Sequence, residues 1–173
     1  MPDELEIREM LAGDIEAVMG IEREVFPFPW TPEFFECELR RGEITMYLVA
    51  LAGGRLLGFI GAHLIGDEIH VTNMAVALDF RRRGLGSALL MECVQLGLKK
   101  GARWLTLEVR ETNRDAREFY RFFGFRELGL RRGYYSDSGE DAVIMAAGDI
   151  REGLFRELPA RGDKPPDGGE GDG

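Results

Sequence analysis

Residues 81–90 read RRRGLGSALL: three arginines, two glycines one residue apart, then small and aliphatic residues. A β-rich run at 69–77 precedes the stretch, and Leu85, Leu89, Cys93 and Leu96 recur after it on one helical face. The order is therefore strand, glycine turn, helix. At such a helix start, unpaired N–H groups and a partial positive charge converge on one point, and glycine lets a ligand approach the backbone closely. A pyrophosphate suits that point, with Arg81, Arg82 or Arg83 adding charge around it. The plainer reading is three arginines that solvate a helix start, although cations there oppose the helix dipole.

LEIREM at 5–10 alternates as a strand, and Ile15, Val18, Met19 and Phe26 fall at helical spacing. Thr31-Pro32 caps and opens a second helix through Leu39. Strand-rich runs at 45–51, 56–64 and 69–77 are divided by Gly53-Gly54 and Gly66-Asp67, which predicts a three-stranded antiparallel meander. The Leu85 helix ends near Lys99-Lys100-Gly101. WLTLEVR at 104–110 is a strand, and a helix runs from an N-cap at Asn113 to Gly124. Residues 125–135 and 140–147 are expected to form a final pair of strands. The whole predicts an α/β (α+β) domain, a mixed sheet flanked by helices. A dinucleotide-binding unit is disfavoured, because a hairpin meander and not a βαβ unit precedes the glycines.

Composition narrows the function classes. The chain has 173 residues, 45% hydrophobic and 31% charged, which suits one globular domain with a substantial core. A net charge of −9 repels a nucleic-acid backbone, so direct nucleic-acid binding is not expected despite the arginines at 81–83 and 131–132. Cys37 and Cys93 form no CxxC pair, and His63 and His70 stand apart from them, so neither a disulfide framework nor a zinc site is expected. An acidic start and the lack of any apolar run of ~18 residues point to a cytoplasmic protein rather than a membrane one. Residues 1–150 are read as the folded domain, 151–159 as an extension, and 160–173 as a disordered acidic Gly/Pro-rich tail.

Six segments in order carry a family resemblance: FPW at 28–30, NMAV at 73–76, RRRGLGSALL, LEVRETN at 107–113, FYRFFGF at 119–125 and RRGYY at 131–135. The sequence resembles the GNAT acetyltransferases, whose phosphate loop has the pattern Q/R-x-x-G-x-G/A, matched by Arg81, Gly84 and Gly86. Within them it resembles the RimI family of ribosomal-protein N-terminal alanine acetyltransferases. The resemblance implies acetyl-CoA as co-substrate, no metal, and a mostly antiparallel sheet that splays between its fourth and fifth strands. It places the cofactor's pantetheine arm along Met74, Ala75 and Val76 and beside Asn113. The pyrophosphate falls to Arg81, Arg82, Arg83, Gly84, Leu85, Gly86 and Ser87.

Transfer to an amine needs a neutral nucleophile, a stabilised oxyanion and a proton for the leaving thiolate. Glu108 is a carboxylate in an otherwise apolar strand, where burial would raise its pKa and suit it to base work; strand alternation could equally point it at solvent or an arginine. Tyr120 can donate a proton or serve as a core tyrosine. The resemblance makes these two the base and the acid. Asn113 has capping as an alternative role. The resemblance also implies a first-residue pocket at Phe26, Pro27 and Phe28, and peptide contacts from Tyr134 and Tyr135. Glu22 and Glu24 either draw in a cationic amine or are solvated on a helix face. The expected partner is a protein or peptide N-terminus, including that of a ribosomal protein. Broader N-terminal, lysine or small-amine transfer and a non-catalytic acyl-CoA-binding protein are the competing readings.

Overall fold

The computed structural model describes residues 4–150, so the extension at 151–159, the tail at 160–173 and residues 1–3 lie outside the described residues. Strand β1 (Leu5–Glu9) leads to helices α1 (Ile15–Val25) and α2 (Pro32–Arg40). Strands β2 (Thr45–Ala52), β3 (Arg55–Ile65) and β4 (Glu68–Val76) follow, then helix α3 (Leu85–Lys99). Strand β5 (Trp104–Arg110), helix α4 (Arg114–Phe122) and strands β6 (Arg126–Arg131) and β7 (Ala142–Ala147) complete the order.

Seven strands form one sheet in the order β1-β2-β3-β4-β5-β7-β6. All pairs are antiparallel except β4 with β5. The meander forms as expected, with Gly53, Gly54 and Gly66 at positive φ in its turns. The last strand inserts between β5 and β6. Strand β6 is also shorter than expected: pairing stops at Arg131, a turn follows at 132–133, and residues 134–135 are not strand.

Strand alternation divides the core between the two faces of the sheet. On one face, Met46, Leu48, Ile60, Val71, Met74, Leu105, Leu107 and Val109 pack against Leu89, Leu90 and Cys93 of α3 and Phe119 and Tyr120 of α4. On the other, Tyr47, Val49, Phe59 and Ala75 meet Val18 and Met19 of α1 and Phe35 of α2. Gly61 decides the fit there. A Cβ at Gly61 would stand 2.3 Å from the Tyr47 ring. Helix α2 starts where Thr31 Oγ1 accepts the Phe34 N–H at 3.2 Å, with Pro32 in its first turn. Helix α1 ends at Val25, one residue short of Phe26; that residue is extended and buried in the α1–α2 core.

Candidate active site

Gly84 is the N-cap of α3 and sits at φ +79°, a left-handed conformation that explains a glycine there without any crowding, since a Cβ would meet nothing within 4 Å. Arg82 is also left-handed, at φ 65°. The first main-chain bond of the helix runs from the Ala88 N–H to the Gly84 carbonyl at 3.0 Å, so the N–H groups of Leu85, Gly86 and Ser87 make up its first turn. Ser87 Oγ is buried and makes no hydrogen bond among the described residues. Leu85 is core, Arg82 and Arg83 are exposed, and Arg81 is half-buried. Arg83 and Arg55 both lie over the Phe80 ring, at 5.2 and 4.7 Å from its centroid.

The two parallel strands part before either ends. Their pairing runs from Glu68↔Trp104 to Val71↔Leu107 and ends there, although β4 continues to Val76 and β5 to Arg110. Met74, Ala75 and Val76 therefore lie beyond the last β4–β5 pair, held on their other side by β3. The divergence begins at a bulge: Gly61 pairs with Asn73 and Ala62 with Val71, leaving Thr72 as the extra residue. Thr72 Oγ1 lies 3.3 Å from the Tyr47 hydroxyl, and the Asn73 amide reaches Glu22 of α1, so both bulge residues address the α1–α2 face.

Glu108 stands on β5 at the start of the gap. Its Oε2 lies 2.5 Å from His70 Nε2, and Oε1 lies 3.8 Å from an Arg131 guanidinium nitrogen. The expectation of a raised pKa is corrected here. Burial pushes the carboxyl up, but the hydrogen bond and charge of His70, with the charge of Arg131, outweigh it and hold the group below the ordinary glutamate value. Tyr134 adjoins the same cluster: burial, then the Glu108 charge, raises its phenol, while Arg131 opposes the rise. Arg131 lies 5.8 Å from the Tyr134 ring centroid.

Tyr120 belongs to the opposite face. It is fully buried between Phe119 and Phe125, with ring centroids 5.2 and 5.3 Å away. Glu108 alternates with Leu107 and Val109, which share Tyr120's core, so the carboxylate and the phenol flank β5 from its two sides. Asn113 caps α4, its side-chain oxygen accepting the Ala116 N–H at 3.1 Å.

The loop after α1 splits its expected residues: Phe26 is buried, whereas Pro27 and Phe28 are exposed. Tyr134 is 44% exposed beside Glu108; Tyr135 is buried, with Arg110 4.0 Å over its ring. Glu24 is exposed, but a solvated Glu22 is corrected: that residue is 1% exposed and bonded to Trp30 and Asn73. His70 and Arg131, not picked out for it in the sequence, meet Glu108 here, and Asn73, read there only as the first residue of NMAV, turns to Glu22. His70 and Glu108 both fall on the polar phase of alternating strands, Glu68-His70-Thr72 and Thr106-Glu108-Arg110, and their pairing depends on the parallel register of β4 and β5.

The Acetyltransferase (GNAT) family matches residues 15–125. The chain is 40% identical over 139 residues to a putative [ribosomal protein bS18]-alanine N-acetyltransferase of Bacillus subtilis, covering 80% of this chain and 92% of that one. It is 36% identical over 142 residues to the [ribosomal protein bS18]-alanine N-acetyltransferase of Escherichia coli, covering 81% and 95%. The crystal structure of the Escherichia coli ribosomal-protein-S18-alanine N-acetyltransferase superposes with a TM-score of 0.77 at 34% identity, over 84% of this chain and 94% of that one. The chain belongs to the GNAT acetyltransferase family. It is an acetyl-CoA-dependent N-acetyltransferase. Its residues fit that co-substrate: a buried, unbonded Ser87 hydroxyl at a helix start, an open left-handed glycine before it, and a strand edge released by its neighbour.

Proposed function

We propose that the chain transfers acetyl to the α-amine of a protein N-terminus, most specifically an N-terminal alanine of a small-subunit ribosomal protein, as the names of its relatives suggest. Residues 1–150 constitute the catalytic unit, and a ribosomal-protein acceptor implies action in the cytoplasm. The observation that carries this reading is Glu108, kept ionised by His70 and Arg131 where β4 and β5 part. A carboxylate held low is ready to accept a proton at neutral pH but is a weak base. That strength suits an α-amine, of which roughly a tenth to a fifth is already neutral near pH 7; a lysine is neutral less than about a thousandth of the time.

Acetyl-CoA supplies a thioester carbon open to attack by that amine. Glu108 takes the proton released as the new C–N bond forms, and His70 orients the carboxylate. Main-chain groups of Met74, Ala75 and Val76 hold the pantetheine arm and the developing oxyanion along the freed strand edge. Tyr120 gives its hydroxyl proton to the departing sulfur as the C–S bond breaks. Around the pyrophosphate stand the N–H groups of Gly84 to Ser87, with Arg81, Arg82 and Arg83 supplying charge, while Asn113 caps α4 beside the pantetheine. Phe26, Pro27 and Phe28 form the first-residue pocket, and Tyr134 and Tyr135 engage the peptide backbone.

Peptides differing only at their first residue test the reading. Ala-starting peptide should be acetylated faster than Ser- or Met-starting peptide, and an α-blocked lysine peptide should not react. Equal rates on all three first residues overturn alanine specificity, and turnover of the blocked peptide overturns the α-amine assignment.

A further inference from the structure

Glu22 is a buried carboxylate on a helix whose neighbouring charges, Arg23 and Glu24, are exposed. Nothing in helix formation calls for a charge on the inner face of α1, and a charge kept from water is costly unless its oxygens are satisfied. Both are used. Oε2 accepts the Trp30 main-chain N–H at 3.0 Å, and Oε1 accepts a short hydrogen bond from Asn73 Nδ2.

The two partners are eight and fifty-one residues away in sequence and belong to the two sides of the reaction. Trp30 closes the loop that begins at Phe26; its ring packs 4.3 Å from Phe34 and 5.5 Å from Phe35 between centroids, so the loop's far end is fixed to α2. Asn73 is the bulge residue immediately before Met74, on the strand whose edge β5 has released. Asn73 Oδ1 is itself buried and makes no hydrogen bond among the described residues. The amide is therefore turned to serve the carboxylate at the expense of its own oxygen, an arrangement that a merely packed asparagine would not keep.

We infer that Glu22 is a positioning residue that locks the Phe26–Trp30 loop to the bulge of β4, and so sets the distance between the first-residue pocket and the acetyl group. This rests on the assignment of Phe26 to Phe28 as that pocket. Glu22 touches neither substrate; it acts through the Trp30 main chain and the Asn73 amide. The acceptor side, rather than acetyl-CoA binding or the proton transfers, is what its loss disturbs.

The test uses the full chain in a Trp104→Phe background, where Trp30 is the remaining tryptophan. Glu22→Ala should raise acrylamide quenching of Trp30, lower kcat/KM for the Ala-starting peptide about tenfold and flatten the preference between Ala- and Met-starting peptides, with the acetyl-CoA KM within about twofold. Asn73→Asp sets two carboxylates against each other and should open the loop in the same way. Adding Glu22→Gln to Asn73→Asp reverses donor and acceptor, since the glutamine can accept from Trp30 and donate to the aspartate, and should restore quenching and preference. Wild-type quenching and preference in Glu22→Ala would overturn the lock, as would failure of the double substitution to recover what Asn73→Asp loses. Failure of the pocket assignment reads differently: wild-type protein then shows no first-residue preference while Trp30 quenching still responds to Glu22→Ala, which overturns the specificity role alone.

Discussion

His70 Nε2 lies 2.5 Å from Glu108 Oε2, a contact from a residue still within the paired stretch of β4 to the residue of β5 just past the last parallel pair, Val71↔Leu107. The carboxylate is thus fixed at the point where the sheet opens, and its ionisation is fixed with it. The Glu108 pKa lies below its unfolded value of about 4.3, so its contribution to stability is fully present above that pH and is lost as pH falls through the folded value. His70→Ala removes the main opposing partner. The acid limb of kcat/KM should move to higher pH in that variant, and acid unfolding should begin at higher pH. Rate–pH profiles and urea titrations between pH 3 and 6 check both.

Tyr120→Phe deletes one hydroxyl and preserves the ring packed between Phe119 and Phe125. The rate of transfer should fall by about 10²-fold, the usual scale of a lost general acid, with acetyl-CoA affinity held within about twofold. Steady-state kinetics beside calorimetric titration of the cofactor separates the two quantities. An unchanged rate removes Tyr120 from the chemistry.

Gly84→Ala introduces no clash, because space around the position is open, but forces a side chain to φ +79°. The cost should be about 1–2 kcal/mol, relieved by shifting the turn. Displaced first-turn N–H groups should weaken acetyl-CoA more than peptide. The measurement is KM for each substrate, beside the midpoint of thermal unfolding.

Gly61→Ala tests the packing that supports the bulge. Its Cβ would fall 2.3 Å from the Tyr47 ring, so stability should drop by about 1–3 kcal/mol. Trimming the ring by Tyr47→Ala in the same chain should make the pair less damaging than the sum of the singles, as contact predicts. Chemical denaturation of the four proteins gives the coupling.

Much of the fold was legible because its signals are local. Turn glycines at 53, 54 and 66, caps at Thr31 and Asn113, and the glycine start of α3 all stand in the structure where periodicity and turn chemistry put them. Insertion of β7 between β5 and β6 was not, since pairing of Glu108 with Ile144 spans a helix and a strand. In the site, the glycine loop and Glu108 could be picked out by type and place. The direction of the Glu108 shift could not, because His70 is 38 residues away and meets it only through strand register. Glu22 was misread for a related reason: a glutamate on an amphipathic helix looks solvated until its long-range partners are known. The bulge at Thr72, which turns Asn73 toward Glu22, shows in β4 only as the adjacent polar pair Thr72-Asn73, where the alternation slips phase.

That Glu108 accepts the amine's proton is tested most directly by the rate of transfer from acetyl-CoA to an Ala-starting peptide by Glu108→Gln, measured from pH 6 to 10. With the base removed, kcat at pH 7 should fall by about 10²-fold or more and recover in part as the pH rises past the amine's own pKa, while the acetyl-CoA Kd stays within about twofold of wild type. A variant that matches the wild-type rate across the range would contradict it.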